Sequence, residues 1–211
     1  MAAPCSAFRS VVPLALLTLT ALLAACGGDT MRAVAGAAPV TLVRGGAAQH
    51  VQPGPIPFGD GDTLSSPADS ASQVRIACDP DTDPGSDISG APRAGLADVT
   101  LEANTSLRRR QGSFLDLVQG AAHVTAGPLR RRLVLFHGTV FAEAHETNTS
   151  GVTFTARAEG SALTVSVERG ELLLHAPGTT PKDLHYVTLG PGETATAEPG
   201  SEPKKLEPQK R

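Results

Sequence analysis

"ALTVSVERGELLL" (162–174) decides the fold. Leu163, Val165 and Val167 alternate with Thr164, Ser166 and Glu168. A period of two places the aliphatic set on one face of a β-strand and the polar set on the other. Arg169 and Gly170 then interrupt the run, and a second β-rich run follows. Gly170 can take a positive φ at little cost, which a tight turn demands. The spacing predicts a hairpin over residues 165–174.

The same texture extends in both directions. "ADVTLEA", "SFLDLVQG", "AAHVTAG", "RRLVLFHG", "TVFAEAHE", "GVTFTAR", "ELLLHAPG", "LHYVTLGPG" and "ETATAEPG" are short runs rich in Val, Leu, Thr and Phe, most of them closed by Gly. Phe114, Leu115 and Leu117 alternate less regularly. Gly190-Pro191-Gly192 predicts a second reversal within residues 187–197. Strands recurring about every ten residues with turn signals between them indicate an all-β domain of short antiparallel strands, a sandwich or a solenoid-like stack. No helical period of about twelve residues competes with this reading. The expected domain covers 73–197. Residues 26–72 are rich in Gly, Ala, Pro, Ser and Asp and read as a flexible tether, and residues 198–211 as a disordered tail.

The N-terminus has a different character. Arg9 is the one charge before the apolar run "VVPLALLTLTALLAA" (11–25). That run is shorter than the roughly 20 residues of a comfortable membrane span and has the pattern of a secretory signal peptide. Leu23, Ala24, Ala25 and Cys26 resemble the lipobox of bacterial lipoproteins. The resemblance implies removal of residues 1–25, a diacylglyceryl group on the Cys26 sulfur and an acyl chain on the new amine. Two or more chains anchor a protein firmly, where one does so only marginally. An ordinary cleaved signal with a coincidental cysteine is the competing reading. Gly27, in place of the Asp that retains such proteins in the inner membrane, implies an outer-membrane location facing the periplasm.

Composition narrows the function classes. The net charge of −3 offers no overall basic excess for nucleic acid. Six Phe, one Tyr and no Trp argue against an aromatic stacking platform. Of three cysteines, Cys5 would leave with the signal and Cys26 would carry lipid, so Cys78 stands alone and no internal disulfide is expected. Cys78 then reads as a small hydrophobe at a strand end or as an intermolecular link.

With these residues in view, "TFTARAEGSALTVSVERGELLL" followed by "YVTLGPGETATA" resembles the FecR domain. Phe154, Val165, Val167, Gly170, Leu172, Leu189, Gly192 and Glu193 occupy that family's pattern, and Gly120 matches the glycine after an earlier strand. The resemblance spans 99–197. It implies an all-β extracytoplasmic domain that senses or binds, with no catalytic residues to carry over. In the iron-transport regulators such a domain relays a signal from an outer-membrane receptor to a sigma factor. A chain held by lipid alone would not reach a cytoplasmic sigma factor, so a stand-alone binding or scaffold role is what carries over.

Four features carry possible chemistry. Asp79, Asp81, Asp83 and Asp87 alternate as in the start of an EF-hand loop, but Pro84 and Gly90 stand where Gly and Glu are required, so a solvated acidic loop is expected and no metal. His137, Glu143 and His145 share strand parity, but Gly138 would break the alignment, and zinc needs three or four converging ligands. Ser161 and Ser166 lack the G-x-S-x-G context of a hydrolase nucleophile. The arginines 108–110 and 130–132 form two clusters that could grip phosphate, carboxylate or lipopolysaccharide groups. Arg109 would point away from Arg108 and Arg110 on a strand. Arg108, Arg109, Arg110, Arg130, Arg131 and Arg132 are therefore the candidate anion or partner site.

The sequence thus reads as a lipid-anchored envelope protein, non-enzymatic and without a cofactor beyond the acyl chains on Cys26. Its expected partners are the membrane, through that anchor, and an envelope protein or anionic envelope component, not nucleic acid. A structural lipoprotein without a specific ligand and an enzyme with a dispersed polar site are the rivals.

Overall fold

A computed structural model describes residues 31–79, 82–85, 88, 90–111, 113–145, 148–180 and 183–207. Cys26, with the leader and lipobox, lies outside them. The described chain is all-β, with 17 strands. They are β1 (Met31–Ala35), β2 (Val40–Arg44), β3 (Ala47–Val51), β4 (Gly54–Phe58), β5 (Thr63–Ser65), β6 (Ser72–Ala77), β7 (Leu96–Leu101), β8 (Ser106–Arg109) and β9 (Phe114–Ala126). The second half holds β10 (Leu133–His137), β11 (Val140–Ala144), β12 (Val152–Glu159), β13 (Ala162–Arg169), β14 (Leu172–Pro177), β15 (Leu184–Leu189), β16 (Thr194–Ala197) and β17 (Lys204–Leu206).

Two layers enclose one apolar core. Sheet A runs β4-β1-β6-β7-β9-β12-β13-β16-β17. Sheet B runs β3-β2-β5-β8-β9-β10-β11-β14-β15. Among the described residues every pairing is antiparallel except β9 with β10. The strand shared by both sheets is β9, central to each. Its first part pairs with β8 and β10, and its second with β7 and β12.

A strand that moves from one layer to the facing layer must reverse which side chains point inward. Leu115 and Leu117 enter the core at odd positions, Ala122, Val124 and Ala126 at even ones. The change of phase falls at Gly120, which has φ 84°. A Cβ there would lie 2.3 Å from Thr105 Oγ1 and 2.8 Å from Thr105 Cα, so glycine is required twice over. The buried Thr105 hydroxyl clamps the crossing. It donates to Ala121 O and accepts from Ala121 N, both at 3.0 Å.

The opening stretch behaves in the same way, which corrects one expectation. Gly170 does take positive φ, at 81°. But β13 belongs to sheet A and β14 to sheet B, so residues 165–174 form a corner between layers, not a hairpin. The reversal at 190–192 is likewise a corner, from β15 to β16. A turn signal reports a change of direction and does not say which layer the chain enters. Consecutive strands do form hairpins elsewhere, at β2 to β3, β8 to β9, β10 to β11, β12 to β13 and β14 to β15.

The positions that resemble the FecR pattern serve the fold. Phe154, Val165, Val167, Leu172 and Leu189 are buried in the core. Glu193 closes the last corner by accepting from Gly190 N at 2.7 Å and from Lys205 Nζ at 2.5 Å. The Gly190 amide and then Lys205 hold its carboxyl below the usual range.

The expected tether over 26–72 is also corrected. From Met31 onward it forms β1 to β5 and enters β6, and Ala33, Val40, Leu42, Ile56, Phe58 and Leu64 lie in the core. The Pro-rich run that suggested a linker is β4, which pairs only with β1 at the rim of sheet A. Proline cannot donate to a ladder and is tolerated at such an edge. The expected disordered tail is corrected in part, since Lys204–Leu206 pairs with β16.

The thiol of Cys78, just past β6, is buried and free. Burial, with the Asp79 carboxylate beside it, pushes its pKa up to about 12. That makes it the strand-end hydrophobe of the two readings and an unreactive one. In the native chain at pH 8, mass mapping after treatment with a maleimide is expected to leave the Cys78 peptide unlabelled and to find it fully labelled in urea. Rapid native labelling would refute this placement.

Candidate functional site

The site is built where the segment after β6 meets the connection from β9 to β10. Arg75 on β6 pairs with its cross-strand neighbour Asp98 on β7, with Nε to Oδ1 at 2.6 Å and Nη2 to Oδ2 at 2.8 Å. Arg75 Nη2 also donates to Gly90 O at 2.7 Å, which pins the returning segment over sheet A. Cys78 N donates to Gly95 O and Gly95 N to Pro128 O, both at 2.8 Å. Two glycines allow these backbones to approach. A Cβ on Gly127 would lie 2.3 Å from Arg93 O. A Cβ on Gly95 would lie 2.5 Å from Thr82 Oγ1 and 2.7 Å from Asp79 Oδ2.

The result is a concavity of about 590 Å³ lined by Asp79, Thr82, Asp83, Arg93, Arg130 and Arg131. All three arginines are exposed. None pairs with an acidic group among the described residues. Asp79 is different, being 6% exposed, and its Oδ1 has no hydrogen-bond partner among the described residues. A buried carboxylate oxygen without a partner is costly.

The six candidate arginines are not brought together as one patch, a correction to the expected two-cluster site. They divide into three uses. Arg108 and Arg110 converge on Asp116 Oδ2, at 2.5 and 3.3 Å. Arg109 points the other way, as strand parity requires, and is 2% exposed. Its Nη1 donates to Phe58 O at 2.7 Å and its Nε lies 3.4 Å from Asp60 Oδ1. Arg132 pairs with Glu143 at 3.2 Å, and its carbonyl accepts from Ser113 Oγ at 2.6 Å. Only Arg130 and Arg131 reach the concavity.

The other candidates also separate. Asp79 and Asp83 line the concavity, while Asp81 and Asp87 lie outside the described residues. The ring nitrogens of His137 face Leu117 O and Gly160 O at 2.8 and 2.9 Å. Glu143 turns instead toward Arg132 and His175. Among the described residues no three His, Cys, Asp or Glu side chains are placed to hold a metal ion. Ser166 shares a hydrogen bond of 2.5 Å with Thr194 across two strands. Sequence reasoning missed Arg93 and Thr82. The glycines at 95 and 127 were the available signal, because each marks a close backbone approach.

No family model matches the chain, and no curated protein is similar to it. Among solved structures, two crystal structures of a candidate anti-sigma factor from Parabacteroides distasonis ATCC 8503, at 2.50 and 1.65 Å resolution, show a partial likeness. Both are 16% identical over 68% of this chain, with TM-scores of 0.43 and 0.41. This chain spans 57% of the length of those chains.

Proposed function

We propose that this chain is a non-enzymatic recognition domain of the cell envelope, which binds an anionic group in the concavity of Arg93, Arg130 and Arg131. The observation that carries the reading is the convergence of these three arginines on one concavity without carboxylate partners among the described residues. A guanidinium presents a planar fork that matches phosphate and carboxylate oxygens. Thr82 adds a hydroxyl that can donate or accept. Asp79 and Asp83 restrict the ligand to one that brings a donor or cation as well as an anion. The Cys78 thiol is held protonated beneath the site, which supports binding over nucleophilic chemistry. The resemblance of the leader to a lipobox supports attachment at Cys26 and exposure to the periplasm.

Calorimetric titration of the full chain with inorganic phosphate and with short acidic peptides tests the site. Charged hydrogen bonds are worth about 1.5–3 kcal/mol each, so Arg130→Ala with Arg131→Ala is expected to weaken binding by at least roughly tenfold while the melting temperature is unchanged. Equal affinity in the double variant, or no binding by the parent chain, would overturn the assignment.

A further inference from the structure

The two outer faces of the sandwich differ in chemistry. Outward positions of the central strands of sheet A are mostly hydroxyls and charges. Thr164 bonds Thr196 at 3.1 Å, and Arg157 pairs with Glu102 at 3.0 Å. The half of sheet B made by β2, β5 and β8 is also polar outside, with Ser65 and Ser106 2.9 Å apart. From β9 to β15 the outer face of sheet B changes character. The strand register aligns Arg108, Asp116, Phe136, Phe141, His175 and Tyr186 as one row across six strands.

The rings of this row touch in sequence. Phe136 and Phe141 have centroids 5.1 Å apart, Phe141 stacks on His175 at 4.4 Å, and Tyr186 follows at 5.8 Å. Phe114 meets Phe136 edge-on at 5.9 Å, and the Arg110 guanidinium sits 4.3 Å over the Phe136 ring. His175 is 8% exposed and neither ring nitrogen makes a hydrogen bond among the described residues. Burial outweighs the pull of Glu143 and favours its neutral ring. Phe114 is 41% and Tyr186 64% exposed, with Leu184 and Val118 also open. In a chain with seven aromatic residues, four on one outer sheet face is a concentration that solvation does not explain. Arg110 covers part of Phe136, while Phe114 and Tyr186 at the two flanks of the row stay open. Composition argued against an aromatic stacking platform, but it does not show that the few rings present are gathered on one face.

The row is also self-complementary. One end carries Arg108 and Arg110, and the other is the open ring of Tyr186 on the edge strand β15. A two-fold axis parallel to the strands would lay the arginines of one copy against Tyr186 of a second. That repeats between chains the cation–π contact already made by Arg110 and Phe136. We propose that the outer face of sheet B from β8 to β15 is the interface of a homodimer, joined face to face by this row. Six strands spaced about 4.8 Å apart span roughly 24 Å, a small patch that makes this a weak, reversible dimer rather than an obligate one. The inference is independent of the anionic site, which lies elsewhere.

Sedimentation velocity tests it, using the full chain with Cys26→Ser so that acyl chains cannot drive association. The parent is expected to pass from monomer to dimer between about 1 and 200 μM. Tyr186→Glu and Phe114→Glu, both at exposed positions, are each expected to weaken the dimer by at least about tenfold. Leu206→Glu, an equally open hydrophobe on β17, should leave it unchanged. A monomer at every concentration, or a dimer indifferent to Tyr186→Glu and Phe114→Glu, would overturn the proposal. So would equal weakening by Leu206→Glu.

Discussion

Arg109→Ala is expected to destabilise the fold by about 2–5 kcal/mol, from a buried carbonyl left unpaired and the void left by a long side chain. The guanidinium is almost wholly enclosed beside Phe58 and Leu107 in the core, and its Nη1 satisfies the Phe58 carbonyl. Its own backbone is tied to the turn before β5, since Arg109 N donates to Asp62 O at 2.9 Å and Gly61 N to Arg109 O at 3.0 Å. Truncation leaves a carbonyl without its donor and a void where the aliphatic stem packed. Against a typical total of about 5–15 kcal/mol, that loss brings the domain close to unfolding at room temperature. Arg130→Ala, at an exposed position, should shift stability by no more than about 0.5 kcal/mol. Urea denaturation separates the two. Equal midpoints for the two variants would show that Arg109 is no more structural than its exposed relatives.

Gly120→Val should be at least as severe. A side chain at φ 84° costs about 1–2 kcal/mol from local sterics alone. Here the new Cβ also meets Thr105 backbone and hydroxyl at distances no real contact shows, so Thr105 must move. Its two bonds to Ala121 would break with it. The total is expected to exceed about 4 kcal/mol, in the range reserved for a named structural failure. Gly138→Ala is the matched control, at φ 60° with nothing within 4 Å of the added carbon, and should cost only the local term. Thermal melting of both decides the point. Comparable melting temperatures would mean that the crossing in β9 tolerates a side chain.

These two residues also mark what the sequence could and could not disclose. Alternation at Leu163, Val165 and Val167 correctly indicated a half-buried strand, because a period of two is a local property. Sheet membership is not local. Nothing in Arg169-Gly170 says whether the chain turns back on its neighbour or crosses to the opposite layer. The continuous apolar runs at Leu133–Phe136 and Leu172–Leu174 were a missed signal. An antiparallel strand with one wet face should alternate, and these do not. They belong to the part of sheet B whose outer face is aromatic. The segment before residue 72 was misread from composition, since Gly and Pro at a sheet rim look like Gly and Pro in a linker. Of the six arginines, parity alone separated Arg109 from its neighbours, whereas the partnership of Arg93 with Arg130 and Arg131 depends on tertiary packing that no spacing rule encodes.

The central position of β9 sets the order in which the molecule can be assembled. As the polypeptide emerges, β7 and β8 each expose a ladder that only the later segment 114–126 can complete. The preceding strands must stay soluble until then with two incomplete borders. A nick within that single segment would open both layers at once, so neither half can be shed while the other persists.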